Sequence, residues 1–225
     1  MTRLRYLSSI CAVCGETCRF SIPEAVVSIG SRDLDTRPAE PLRSTIYAWV
    51  KRCPSCGYCA PNPGKAQEGA AEVVKLPRYR EQLDSRKFPR VANTFLCWSI
   101  IQEDLGAQAQ AAWASLHAAW ACDDEGDDVP ARICRKRAVN LMRRAWEQGE
   151  RLAPQAGADE ALLVDLLRRA GRFREARAVA KEVIEQNPHP LITEIMRFQI
   201  RLVAASDRGA HTVAEARRSR QAASL

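Results

Sequence analysis

Cys11 and Cys14 are followed at once by Gly15, and Cys53 and Cys56 by Gly57, so the same C-x-x-C-G segment occurs twice near the start of the chain. Two thiolates separated by two residues grip one metal ion only if the backbone turns tightly between them. A glycine just after the second cysteine supplies the φ > 0 residue that such a turn uses. Two half-sites of this kind predict a single tetrahedral centre with Cys11, Cys14, Cys53 and Cys56 as ligands and zinc as the ion. The 38 residues between Cys14 and Cys53 exceed the roughly 15 to 20 of compact zinc modules, so the centre closes a long loop.

Other chemistries share this pattern. Each pair has a third cysteine nearby, Cys18 after Cys14 and Cys59 after Cys56, and Cys53, Cys56 and Cys59 form a C-x-x-C-x-x-C run. That run opens cluster-binding ferredoxin loops, so an iron–sulfur cluster is the alternative cofactor, with a fourth ligand from the Cys11–Cys18 segment. The run does not continue to a fourth cysteine before proline; Ala60 and Pro61 follow Cys59. Cys18 and Cys59 are therefore expected to be spare thiols beside the site. Redox dithiols or unconnected thiols are the remaining reading.

With 225 residues and 46% hydrophobic content, the chain has the length and composition of an ordinary globular protein. Met1 to Ile10 is basic but leads into Cys11 rather than an apolar stretch, so no secretory signal is read, and no apolar run has the length of a membrane span. Nine cysteines in this format point to a reducing cytoplasm. The charge is uneven: residues 1–90 hold 15 Lys/Arg against 9 Asp/Glu, and residues 91–225 hold 19 against 18. Excess positive charge on the cysteine-bearing part keeps nucleic acid open as a partner, through Arg43, Lys51, Arg52 and neighbouring cations. No consecutive run of Lys/Arg accompanies it, and a solvated surface accounts for the same charges.

Along the chain, Arg19–Ile29 and Thr45–Val50 are β-branched and apolar and predict strands that deliver the two cysteine turns. Between them, residues 30–42 (GSRDLDTRPAEPL) predict a long solvated loop with local salt bridges among Arg32, Asp33, Asp35 and Arg37. The PNPG of 61–64 marks a boundary, giving a metal-binding domain over 1–62 and a helical domain over 66–225. Short helices are expected over 66–76 and 79–84, and longer ones over about 90–105, 107–122, 130–150, 159–170, 174–186 and 190–205. Residues 207–225 are expected to cap or fray. Trp113, Leu116 and Trp120 share one face of an alanine-rich helix and predict core packing, with His117 partly buried beside them. The acidic run at 123–128 lacks the ligand spacing of a calcium loop and is expected to connect helices, with Asp127 or Asp128 capping the next one and Pro130 in its first turn. No nucleophile motif accompanies His189 or His211, so no catalytic residue is assigned and a non-enzymatic role is expected.

Residues 161–188 read ALLVDLLRRAGRFREARAVAKEVIEQNP and resemble a tetratricopeptide repeat. Leu163 and Leu167 lie on its first helix, Gly171 and Phe173 at the turn, Ala176 on the second helix and Pro188 at its end; Val164 and Ala180 depart from the pattern. One repeat cannot bury its own apolar face, so degenerate repeats are expected before it. The two C-x-x-C-G segments, Trp49, Tyr58 and the WVKRCPSCGYCA stretch, followed by such helices, resemble the bacterial family called domain of unknown function 2225. The resemblance implies a cytosolic protein with a zinc-ribbon-like head and a helical-repeat body, and implies no reaction. The expected fold class is α+β, mostly α: a small zinc-ribbon-like β head followed by tetratricopeptide-like helical hairpins. The expected role is an adaptor with structural zinc, whose helices bind an unidentified protein or peptide.

Overall fold

A computed structural model of the chain describes residues 4–222. Strands β1 (Leu4–Ile10) and β2 (Thr17–Pro23) form an antiparallel hairpin whose register runs from Leu4↔Pro23 to Ile10↔Thr17. The first C-x-x-C-G is the turn of that hairpin. A second, minimal hairpin of β3 (Lys51–Arg52) and β4 (Cys59–Ala60) carries the other. The expected strand pattern needs three corrections. β1 precedes the first turn where no strand was predicted, because its side chains are largely exposed on both faces and leave no clear alternation of burial. β2 stops at Pro23, which has no N–H to donate to a ladder, so residues 24–29 are not strand. Thr45–Val50 is not a strand either: Arg43–Ala48 is a 3₁₀ helix. There the Thr45 hydroxyl donates to Leu42 O at 2.7 Å and accepts from Trp49 Nε1 at 2.8 Å. The backbone closes locally as well, Thr45 N donating to Leu42 O and Trp49 N to Ile46 O, so groups that a strand would pair with a neighbour are satisfied within the turn.

The rest is helical: α1 (Ala70–Val73), α2 (Pro77–Asp84), α3 (Arg90–Asp104), α4 (Gln108–Asp124), α5 (Asp128–Glu147), α6 (Ala158–Arg169), α7 (Phe173–Glu185), α8 (Pro190–Ala204) and α9 (Val213–Ala222). The six long helices from α3 to α8 begin and end within three residues of expectation. The ends of α3, α4, α5 and α6 share one device. At Gly106, Gly126, Gly149 and Gly171 the chain turns left-handed, and the next residue donates back five positions: Ala107 to Gln102 O, Asp127 to Cys122 O, Glu150 to Ala145 O and Arg172 to Leu167 O. Each closure satisfies a carbonyl that the helix end would otherwise leave open, then reverses the chain so that successive helices pack together. In α4, Ala111, Ala112, Ala118 and Ala119 are buried and allow close approach, while Leu116 and Trp120 fill the interior as expected. No helix among the described residues is long and apolar enough to cross a membrane.

The segment expected to be a solvated loop is the largest departure. Asp33, Leu34, Asp35 and Arg37 are all buried. Asp35 Oδ2 accepts from Trp120 Nε1 of α4 and from Arg169 Nη1 of α6, both at 2.8 Å. Arg169 Nη2 reaches Asp123 at 2.8 Å, and Asp123 also holds Arg135 of α5. Arg37 grips both oxygens of Asp124 at 2.6 Å. The strap also meets the end of the chain: Leu34 N donates to His211 O, and Val213 N to Arg32 O. Residues 123 and 124 are thus the last turn of α4 and the outer, partly exposed end of an ion network that reaches the buried Asp35, Arg135 and Arg169, not simply a connection. Asp127 stands at the start of α5 without a side-chain cap, and Pro130 lies in its first turn as expected. Thr36 sits at φ 70 between Asp35 and Arg37, a conformation that a β-branched residue adopts only when its surroundings impose it.

Removing Asp35 leaves the Arg169 guanidinium and the Trp120 indole short of an acceptor in a buried place. Asp35→Ala is expected to lower unfolding free energy by about 3–5 kcal/mol in denaturant melts. A loss under about 1 kcal/mol would show that the strap is dispensable.

His117 packs among the rings of Trp49, Phe95, Trp113 and Trp120, with centroids 4.7 to 5.9 Å away. Burial pushes its pKa down to about 4, with the Asp35 charge opposing. Between that value and the ordinary 6.5 the unfolded chain holds a proton that the folded one does not. Stability therefore falls as pH drops from 7 to 4, by up to about 3 kcal/mol from this residue. Melts of His117→Phe across that range should show a correspondingly shallower acid slope.

Candidate metal centre

Both cysteine turns are built by the same hydrogen bonds. In the first, Cys11 N donates to Glu16 O and Gly15 N to Cys11 O, each at 2.8 Å; in the second, Cys53 N donates to Tyr58 O at 2.8 Å and Gly57 N to Cys53 O at 3.0 Å. Gly15 and Gly57 lie at φ 78 and 80, as the sequence pattern demanded. The two hairpins are held together through residues 61–65: Ala12 N donates to Pro63 O at 2.9 Å, and the Tyr58 hydroxyl to Lys65 O at 3.0 Å. The expected boundary segment is thereby also a clamp between the turns.

This arrangement brings Cys11, Cys14, Cys53 and Cys56 together, with all four sulfur atoms within 4.8 Å of one another. Cys11 Sγ lies 3.7 Å from Cys56 Sγ, and Cys14 Sγ 3.7 Å from Cys53 Sγ. A tetrahedral ion with metal–sulfur bonds of about 2.3 Å has edges of about 3.8 Å, so the donor set fits one zinc-sized ion. Cys11 and Cys53 are buried, Cys56 is half-buried and Cys14 is exposed at one corner.

Helix α2 props the second turn, which the sequence did not foreshadow. The Tyr79 hydroxyl donates to Gly57 O at 2.9 Å and accepts from Cys59 N at 3.2 Å, and Arg80 Nη1 donates to Cys56 O at 2.9 Å. Tyr79 is fully buried, and burial pushes its pKa up, so it stays a neutral phenol. The only sequence signal was Pro77 opening a short amphipathic helix, which says nothing about which loop the helix meets.

The third cysteines take different roles. Cys18 Sγ lies 3.5 Å from Cys53 Sγ, as a thiol donor to a ligand sulfur, and burial first, then the neighbouring sulfurs, push its pKa up to about 12. Cys59 turns away from the centre, donates to Gly57 O at 3.3 Å and is buried in the core. Burial opposes ionisation of Cys53, but the N–H groups of Cys56 and Ser55 and the thiols of Cys18 and Cys56 outweigh it and bring its pKa down to about 6. Cys11 and Cys56 are pushed up, chiefly by burial. Four adjacent thiolates need a cation among them; the group is arranged to give up protons to a metal.

Of the cations expected to face nucleic acid, Arg43 does not. Its guanidinium is bound to Asp33 and to Pro38 O at 3.0 Å within the strap. Lys51 and Arg52 flank the second turn. His189 accepts from Leu191 N at the start of α8, and His211 pairs with Asp207 at 2.9 Å. Neither lies near the sulfur group. Comparison of the chain with protein-family models, with curated proteins and with solved structures finds no match.

The two turn glycines are not equivalent. A Cβ on Gly15 would meet nothing within 4 Å, whereas one on Gly57 would come within 2.4 Å of Leu83 Cδ2 on α2. Gly15→Ala should cost about 1 kcal/mol of backbone strain. Gly57→Ala should cost about 2–4 kcal/mol, because strain and overpacking combine. Thermal melts of the two variants test the order; equal losses would contradict the packing of α2 on the second turn.

Proposed function

We propose that the protein is a non-enzymatic adaptor whose N-terminal head is knit together by one structural zinc ion and whose helical hairpins serve a protein or peptide partner. The observation that carries the metal half is the convergence of Cys11, Cys14, Cys53 and Cys56 at tetrahedral spacing. Four thiolates fill the shell of a zinc ion and leave no position for a water molecule, so the bound metal would supply cross-linking rather than hydrolysis. The same spacing favours one ion over an iron–sulfur cluster, whose inorganic atoms would hold the cysteine sulfurs further apart. Cys59, the third thiol of the C-x-x-C-x-x-C run, faces the core instead.

The partner half of the proposal rests on exposed apolar side chains. Leu4, Tyr6, Leu7 and Ile10 stand out from β1, and Val129 and Ile133 lie one turn apart on α5. The surface that α4 and α6 turn toward the strap is covered by the chain's own Asp35 and Arg37. A partner would therefore meet other faces of the hairpins. The kinship with the family of unknown function 2225 and the tetratricopeptide character of residues 161–188 are part of this proposal and rest on the residues quoted above.

Metal analysis with an absorption spectrum on anaerobically purified protein tests it. One zinc per chain with no visible band is expected, and Cys53→Ser should lose the metal and make the two cysteine turns and their hairpins protease-sensitive while the strap and the helices persist. Iron with visible absorbance, or a protease-resistant head in the metal-free variant, would overturn it.

A further inference from the structure

A cleft of about 340 Å³ opens between β2, the 3₁₀ helix, β3 and the start of α3. Arg19, Lys51, Arg52 and Arg90 line it, together with Tyr47 and Phe20, and none of its lining residues is acidic. That composition is unusual for this protein, in which arginines are widely matched to carboxylates, as in the pairs Arg37–Asp124, Arg137–Glu103 and Arg143–Glu175. The four cations of the cleft form no salt bridge among the described residues. The Arg90 guanidinium has no hydrogen-bond partner among the described residues, and the Arg19 guanidinium lies over the Tyr6 ring, 4.3 Å from its centroid. Lys51 and Arg52 are positioned by backbone carbonyls, Lys51 by Ala48 O and Pro61 O and Arg52 by Leu83 O. Carbonyls fix these side chains without neutralising them.

Four uncompensated cations held around one concavity repel one another, and a ligand carrying several negative charges relieves that repulsion. The aromatic rings narrow the class. Tyr47 is 43% exposed at the cleft, and Tyr6 is 68% exposed beneath Arg19. Cations that track a phosphate backbone beside exposed rings on which bases stack are the two requirements of single-strand recognition. A flat anionic membrane would reach the exposed Arg19 and Arg90 but not the half-buried Lys51 and Arg52, and an acidic peptide makes no use of the rings. We propose that this cleft binds single-stranded nucleic acid, with Arg19, Lys51, Arg52 and Arg90 on successive phosphates and Tyr47 stacking against a base. The proposal is separate from the adaptor reading, because the cleft lies at β2, β3 and the start of α3 and shares only Tyr6 with the exposed apolar side chains offered to a protein partner.

The test is fluorescence anisotropy with a labelled mixed-sequence 12-nucleotide single strand, DNA and RNA separately, on the full metal-loaded chain. Three or four phosphate contacts predict a loss of affinity of about 20- to 50-fold between 50 and 200 mM salt. Arg19→Glu and Arg90→Glu should each weaken binding by about 10-fold or more, and Tyr47→Ala by a similar factor with little change in salt slope. Arg177→Glu, an exposed charge reversal on α7, should leave affinity within about 2-fold, allowing for its general effect on net charge. Arg90→Glu places an acid in the first turn of α3, which helices favour, so misfolding is not its expected effect. Binding that is absent at 50 mM salt, or weakened equally by Arg177→Glu, would overturn the proposal. So would a preference for anionic vesicles or a poly-glutamate peptide over the oligonucleotides.

Discussion

The carboxylate of Asp35 is the point on which the rest of the molecule hangs together. It belongs to the long insert between the two cysteine turns, yet its partners Trp120 and Arg169 lie on α4 and α6. Through Arg169 it reaches Asp123, and through Asp123 it reaches Arg135 of α5, so three helices take their relative positions from one segment near the N-terminus. Such a network is a poor source of net stability, because desolvating the charges opposes their attraction. Its effect is specificity: any packing that moved one helix would leave a buried charge uncompensated. The positions of the charges support this. Burial alone would favour a neutral Arg169, and the carboxylates of Asp35, Asp123 and Asp165 more than reverse that and hold it charged.

The insert is anchored at its ends as well. Cys14 and Cys53 bound it, and a metal joining their sulfurs would remove about 4 kcal/mol of loop entropy from the unfolded chain on the simplest cross-link estimate. The strap in turn pairs with the segment before α9, where Asp33 and Thr212 form an antiparallel bridge. The insert between the cysteine turns therefore ties those turns, the middle helices and the last helix into a single core that runs from Cys11 to Ala216. That design uses the strained Thr36 backbone at the tip of the strap, which the surrounding bonds of Asp33, Asp35 and Arg37 over-determine.

The parts of this structure that were legible in the sequence are those set by local rules. C-x-x-C-G names a turn and its ligands because spacing and a φ > 0 glycine suffice, and Gly106, Gly126, Gly149 and Gly171 mark helix ends for the same reason. The strap was not legible. Asp33, Asp35 and Arg37 in a Gly- and Pro-rich stretch read as solvated, since nothing within ten residues of Asp35 says that its partners are Trp120 and Arg169. The strand expectation over Thr45–Val50 fails for a related reason: β-propensity describes fit to a half-buried sheet, and among the described residues this segment pairs with no strand. Tyr79 escaped notice because its contribution to the centre is a phenol hydrogen bond to a backbone carbonyl, which leaves no pattern in sequence.

The sulfur centre and the basic cleft also belong to one mechanical unit. Arg52 directly precedes Cys53, Lys51 precedes Arg52, and Arg19 follows Cys18, whose thiol touches Cys53. The two hairpins that carry the ligands thus carry three of the four cations. Like charges brought this close favour a head in which the hairpins splay apart, by an amount that grows as salt is withdrawn. The opposing forces are the clamp from Pro63 and Lys65, the props from α2 and the convergence of four sulfurs on one point. A metal ion at that point would hold the hairpins against the repulsion of their own arginines, and the geometry of the cleft would follow from the geometry of the centre.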